Sequence, residues 1–198
     1  MAARQQRAET TRRRLLDATV EALVECGYAG TSTQEVCRRA NVSRGTLLHH
    51  FPTREVLLVA AMDHVLHDRV AGFVAARQAE GGVKGIRDLV ERMWEQWQGP
   101  ALIAWLELAV AARTNPAIKE PMQQTMLQFD DAVLQAFRDL RPVGELPEPL
   151  ETIAPFFTFA LLNGLAVGQS YETPGRSTPV LELLITLAEG VALTGDRT

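Results

Sequence analysis

The chain has 198 residues, 46% of them hydrophobic and 22% charged, which is enough for a substantial core and too little for a large multi-module enzyme. Proportions so near the globular average exclude wholesale disorder and a collagen-like chain. The net charge of −4, taken alone, argues against a polyanion partner. The average conceals an asymmetry, because residues 1–54 hold nine basic side chains (Arg4, Arg7, Arg12, Arg13, Arg14, Arg38, Arg39, Arg44, Arg54) against five acidic ones, a local +4 that leaves −8 for the rest. The basic part is a candidate for polyanion contact, the alternative being ordinary solvated helix faces.

Two cysteines, Cys26 and Cys37, are too few for a disulfide framework and lack metal-ligand spacing. They read as small buried apolar residues in a reducing interior. The opening MAARQQRAETTRRR has no apolar stretch of the secretory kind. The longest apolar run, residues 153–168, is interrupted by Thr158 and Asn163 and falls short of the roughly 18 residues a membrane span needs. The expectation is a soluble, cytoplasmic protein with no membrane partner.

Helical periodicity dominates, with no run of alternating β-branched residues between hairpin turns. Leu15, Thr19, Ala22, Leu23 and Cys26 recur at three- and four-residue steps and lay an apolar stripe along a first helix, which Gly27 should end. Ser32 and Glu35 fit a capping box, the hydroxyl accepting from the amide three residues on and the carboxylate reaching back to the Ser32 amide. A short helix over 33–40 follows, with Asn41 as its left-handed stop. Ser43 caps a second short helix that must end near Phe51, because Pro52 disfavours helical geometry before it. Thr53 opens the next. Longer helices are expected over about 54–79, 83–98, 101–115, 117–140, 150–172 and 178–193, punctuated by Gly81-Gly82, Gly99-Pro100, Pro116, the stretch 142–149 and Pro174-Gly175. The fold class is all-α: a three-helix helix-turn-helix head, residues 1–52, and a helical bundle body, residues 53–198, with about nine helices in all.

Two short helices joined by a tight turn and packed on a longer one form the helix-turn-helix arrangement, which lays the second short helix in the DNA major groove. In that helix Leu47 and Phe51, four apart, share the core face, leaving Arg44, Thr46, Leu48 and His49 outward. Gly45 lets the backbone approach a phosphate or base edge closely. In order and spacing, LLDATVEALVECGY (15–28), STQEVCRRA (32–40) and NVSRGTLLHHFPTREVLL (41–58) resemble the DNA-binding domain of TetR-family transcriptional regulators. The likeness covers about the first 60 residues; beyond them only length and helicity agree.

The resemblance implies contacts at or near the bases from Gln34, Arg44, Gly45, Thr46 and His49, and phosphate contacts from Thr33, His50 and Arg54. The chemistry fits: Arg44 can pair bidentately with guanine, Thr46 can meet a thymine methyl or donate a hydrogen bond, and Arg54 sits at a helix N-terminus. Arg4, Arg7 and Arg12 would add salt-dependent backbone affinity from a flexible arm. Three positions depart from the family pattern. Asn41 replaces a usual glycine, Cys37 a usual small residue, and Leu48 a common tyrosine, so the hydroxyl that would reach a phosphate is lost and a thymine-methyl contact stands in its place.

In the body, Trp94, Trp97, Trp105, Phe129, Phe156, Phe157 and Phe159 supply most of the aromatic surface, as core or as cavity wall. The family resemblance implies an effector pocket between helices. Trp94, Trp97, Trp105, Phe129, Phe156 and Phe159 are its candidate walls, and Glu107 and Asn163 its candidate polar groups, or else partners of backbone groups. His64 and His67, beside Asp63 and Asp68, have the spacing for two metal ligands on one face but no third, so no metal and no cofactor are expected. Ala160, Gly164 and Gly168 form a shallow ridge for close helix approach. Residues 150–172 and 178–193 take the dimerising role by resemblance, with packing inside one chain as the alternative. The function expected is a ligand-released repressor, homodimeric on a pseudo-palindromic double-stranded DNA operator, with a small-molecule effector. The competing classes are a small helical enzyme and a protein-binding adaptor. No phosphate loop, nucleophile elbow or zinc-protease motif supports an enzyme.

Overall fold

The computed structural model describes residues 2–78, 84–140, 148–169, 175 and 177–195. Among them are nine helices and no strand: α1 (Ala2–Gly30), α2 (Thr33–Ala40), α3 (Arg44–His50), α4 (Arg54–Gln78), α5 (Ile86–Trp97), α6 (Pro100–Ala112), α7 (Pro116–Leu140), α8 (Glu148–Gly168) and α9 (Ser177–Gly195). The all-α class read from periodicity is the observed one. The expected punctuation at Gly81-Gly82, at 142–147 and at Pro174 lies outside the described residues.

By their internal contacts the residues form two compact units, Met1–Asp68 with Gly99–Gln128 and Arg69–Gln98 with Phe129–Thr198. The core of the first is built on the stripe of α1. Leu15, Leu16, Ala18 and Ala22 pack with Val36 and Ala40 of α2, with Leu47 and Phe51, and with Leu57 and Ala61 of α4. Thr19 is buried in the same stripe, its hydroxyl donating to the Leu15 carbonyl at 2.7 Å, so no polar group is stranded. Helix α6 packs on α1 in this unit. In the second unit α5 packs on α8 and α9 around Val90, Leu184 and Ile185, and Arg87 clamps Glu182 at 2.7 and 2.8 Å.

The caps explain where the short helices begin and end. The Ser32 hydroxyl accepts from the Glu35 amide at 3.1 Å, and Asn41, at φ 51° and ψ 52°, closes α2. The Ser43 hydroxyl accepts from the Thr46 amide, extended Phe51 stops α3, and the Thr53 hydroxyl accepts from the Val56 amide to start α4. Three expectations need correction. The second half of the capping box is not made: the Ser32 amide donates to the Gly30 carbonyl at 2.9 Å, while the Glu35 carboxylate takes Arg38 and Arg39, three and four residues on along one face. Gly27 does not end α1. It kinks it, at φ 67° and ψ 178°, and one further turn runs to Gly30. The N-terminal arginines lie on α1 rather than on a flexible arm, and Arg12 stacks over the Phe51 ring at 5.4 Å.

Candidate nucleic-acid interface and ligand cavity

Helix α3 buries Leu47 and leaves Arg44, Gly45, Leu48 and His49 exposed, with Thr46 and His50 half-buried. The split follows from the stripe: Leu47 and Phe51 anchor one face in the core, and the opposite face must then point away. Thr46 is held at the cap of its own helix, its hydroxyl 2.9 Å from that of Ser43. His49 and His50 meet edge-to-face with ring centroids 5.6 Å apart. At the start of α2, Gln34 is exposed and Thr33 half-buried. A Cβ built on Gly45 would meet only the Ser43 hydroxyl, at 3.8 Å. The fold therefore leaves that backbone open to close approach by another molecule.

The structure redistributes the basic charge of residues 1–54. Arg39 pairs with Glu25 at 2.8 Å and with Glu35 at 2.7 Å, and Arg38 with Glu35 at 2.6 Å. The two guanidiniums pull the Glu35 carboxyl down to about 2. Arg14 donates to the Ala40 carbonyl at 2.5 Å. Arg54 donates from Nε to the Thr31 carbonyl at 2.7 Å and from Nη2 to the Tyr28 carbonyl, and lies over the Tyr28 ring. Arg54 is thus first a strut, with Nη1, 3.9 Å from Glu55, its outermost donor. Arg44 stays exposed at the N-terminus of α3.

Cys26 is exposed, contrary to the expected burial, and Cys37 is half-buried. His64 lies 3.1 Å from Asp17 and 3.6 Å from Asp68, and His67 bonds the Asp63 carbonyl on its own helix.

The second unit contains a cavity of about 50 Å³. Trp97, Phe129 and Phe159 line it, with ring centroids 4.7 Å apart for Trp97 and Phe159 and 5.8 Å for Phe129 and Phe159. Asn163 stands behind this wall and accepts from the Trp97 indole N–H at 2.7 Å, fixing the ring. Trp94 and Phe156 are not among the lining residues. Trp105 and Glu107 belong to the first unit. There Glu107 accepts from the Tyr28 amide at 2.6 Å, the amide that the Gly27 kink releases from helical bonding. The lining also includes Arg69, Gln96 and Thr158, which the sequence reading missed. A signal existed for Arg69: Leu58, Met62 and Leu66 of α4 are buried at four-residue steps, and Arg69, three residues further, puts a cation on that apolar stripe.

A capped trihelical unit with an exposed second short helix, on an otherwise all-α chain, defines a helix-turn-helix DNA-binding protein. Residues 15–61 match the family model of bacterial regulatory proteins, tetR family. The chain is 29% identical over 194 residues to an uncharacterized HTH-type transcriptional regulator of Mycobacterium tuberculosis, covering 92% of this chain and 96% of the relative. Among solved structures, a proposed TetR-family regulator from Rhodococcus sp. aligns with TM-score 0.73 at 24% identity, covering 92% of this chain and 99% of that one. A proposed transcriptional regulator from Saccharomonospora viridis in complex with choline aligns with TM-score 0.66 at 17% identity, covering 90% and 94%. Residues 15–61 are thus a DNA-binding domain of the tetR family of bacterial regulatory proteins, and the chain is a DNA-binding transcriptional regulator like the relatives it is similar to over 92% of its length. No described helix is long and apolar enough to cross a membrane.

Proposed function

We propose that the chain is a cytoplasmic, ligand-released repressor that binds a pseudo-palindromic operator as a homodimer, reading DNA with residues 1–52 and binding effector and partner with residues 53–198. The observation that carries the DNA half is the exposed, doubly capped face of α3. Gln34, Arg44, Gly45, Thr46 and His49 meet base edges or lie near them, and Thr33, His50 and the start of α4 at Arg54 meet the flanking backbone. The cavity walled by Trp97, Phe129 and Phe159 is the effector site, and the choline complex of the S. viridis neighbour supports a small-molecule role for this fold. Arg69 and Val70 place cavity-lining residues on α4, the helix whose first residue is Arg54. An effector that binds one setting of α4 better than another would shift the equilibrium of DNA-competent states.

Dimerisation is supported by apolar residues left in solvent. Ile153 and Phe157 on α8, and Leu183 and Leu187 on α9, are four apart in each pair and each more than half exposed. A Cβ on Gly164 would meet nothing within 4 Å, so a second helix has room to approach. A two-fold pair presents two copies of α3 to successive major grooves about one helical turn apart.

The test is selection of a binding site from random duplexes, followed by a salt series and a mass measurement on the free protein. A palindromic site with half-sites about 10 bp apart, affinity falling steeply with salt, and a dimer mass support the reading. Sequence-blind or absent DNA binding, or a monomer at micromolar concentration, overturns it.

A further inference from the structure

We propose that the molecule held in the cavity of the second unit is an organic monoanion: a carboxylate on a compact apolar body, gripped side-on by Arg69. The inference rests on that cavity being the effector site and names the chemical class the site selects.

Arg69 lies in the cavity wall with its guanidinium carbon 4.4 Å from the Trp97 ring centroid. Its Nε and Nη2 are buried and have no hydrogen-bond partner among the described residues. Leaving such donors unpaired is costly, and buried guanidiniums are as a rule matched by an acceptor. Burial alone pushes this guanidinium down to about 10, with no carboxylate contributing, and at neutral pH the group remains a cation. Nε–H and Nη2–H point in parallel from one edge of the guanidinium, and that edge matches the two oxygens of a carboxylate. Stacking on Trp97 uses the guanidinium's face and leaves the edge for an acceptor.

The rest of the wall sets the other half of the ligand. Arg69 is the one ionisable residue of the lining, and Gln96 and Thr158 its other polar side chains. One cation in an apolar wall balances one negative charge, while a dianion would bring in a second with no partner. A cation such as choline would meet repulsion and no acceptor carboxylate. About 50 Å³ is room for a few water-sized groups, since one water needs roughly 10–15 Å³. The body is therefore a single ring or a short chain, packed on Phe129 and Phe159.

The test uses benzoate and hexanoate, with benzamide and choline as neutral and cationic controls, on the full chain by calorimetry and thermal shift. Benzoate or hexanoate should bind wild type and raise its Tm, with benzamide and choline at least tenfold weaker. Arg69→Met should lose the carboxylates by at least tenfold and melt no lower than wild type without ligand, because it removes an unmatched charge. Arg69→Lys should bind at an intermediate level, and with the benzoate–benzamide comparison in wild type it decides the matter if Arg69→Met does not fold. Equal binding of benzamide or choline, unchanged carboxylate binding in Arg69→Met, or no binding of either carboxylate to wild type overturns the proposal. Carboxylate binding that leaves DNA affinity untouched keeps this anion site and removes the effector reading. DNA release by choline without any response to carboxylates does the reverse.

Discussion

Gly45→Ala separates what the fold requires of α3 from what DNA requires of it. Gly45 is the second residue of the helix and has no positive φ, and a built Cβ finds only the Ser43 hydroxyl at 3.8 Å, an ordinary contact. In the free protein the substitution should therefore be neutral or favourable, by up to about 1 kcal/mol, from the reduced freedom of the unfolded chain and better helix propensity. On DNA the added methyl stands where a backbone must approach a phosphate or base edge. Losing one well-fitted position costs about 1–3 kcal/mol, or about 5- to 150-fold in affinity. The assay pairs thermal melting with fluorescence anisotropy on the selected duplex at one fixed salt concentration. A variant that melts as high as wild type and binds DNA as tightly would show that the α3 backbone does not come close to DNA at this point. A lowered melting temperature would show that the space around Gly45 is not open.

Arg44→Ala should leave the melting temperature unchanged, since the side chain is exposed, and cost about 1–3 kcal/mol on the preferred site while relaxing preference at one base pair per half-site. An equal loss on every sequence would reassign Arg44 to a phosphate. Glu35 has its folded-state value lowered from 4.5 to about 2, so its contribution to stability is complete above about pH 4.5 and fades as pH falls towards 2. Melting curves of wild type and Glu35→Gln should converge across that window, and a constant gap from pH 6 to 2.5 would refute the ion-pair account. Leu187→Glu, at a position 56% exposed in the single chain, should halve the mass seen by light scattering at micromolar protein while leaving monomer helicity intact. A retained dimer places the interface elsewhere.

The caps and stops of α2 and α3 in the head were legible in the sequence because local rules fix them. Ser32, Asn41, Ser43, Phe51 and Thr53 act through hydrogen bonds or backbone geometry within a few residues of themselves, and all five do what their type dictates. The features misread or left open depend on contacts distant in the chain. Glu107, left open between a pocket group and a partner of backbone groups, is the second, and the amide it serves, that of Tyr28, is 79 residues away. Arg54, taken only as a phosphate contact, is also a strut to carbonyls 23 and 26 residues before it. Glu35 obeyed a local rule, but one that lost: two arginines on its own helix face outweighed one amide. The aromatics show the same limit, since periodicity puts Trp94, Trp97, Phe156 and Phe159 on inward or outward faces without saying which inward face borders a void.

The knot around Tyr28 bears on how release can work. The Gly27 kink turns out the Tyr28 amide, which Glu107 of α6 takes at 2.6 Å, and a side chain at position 27 would press on that carboxylate at 3.1 Å. The Tyr28 carbonyl goes to Arg54 at the head of α4, and the Tyr28 hydroxyl accepts from Asn115 just before α7. One residue of α1 thus holds three other segments of the first unit, two of them through charged partners. Hydrogen bonds to charged groups contribute about 1.5–3 kcal/mol each. Moving a two-state equilibrium from 1:99 to 99:1 takes about 5.5 kcal/mol of differential affinity. Two or three bonds of this kind span that range, so under the proposed ligand-released reading, re-seating Arg54 and Glu107 is a change on the scale an effector would have to drive. The polar ties at Tyr28 would be the exchangeable part of the α1–α4 contact, beside the apolar core that holds Leu57 and Ala61 of α4 with the stripe of α1.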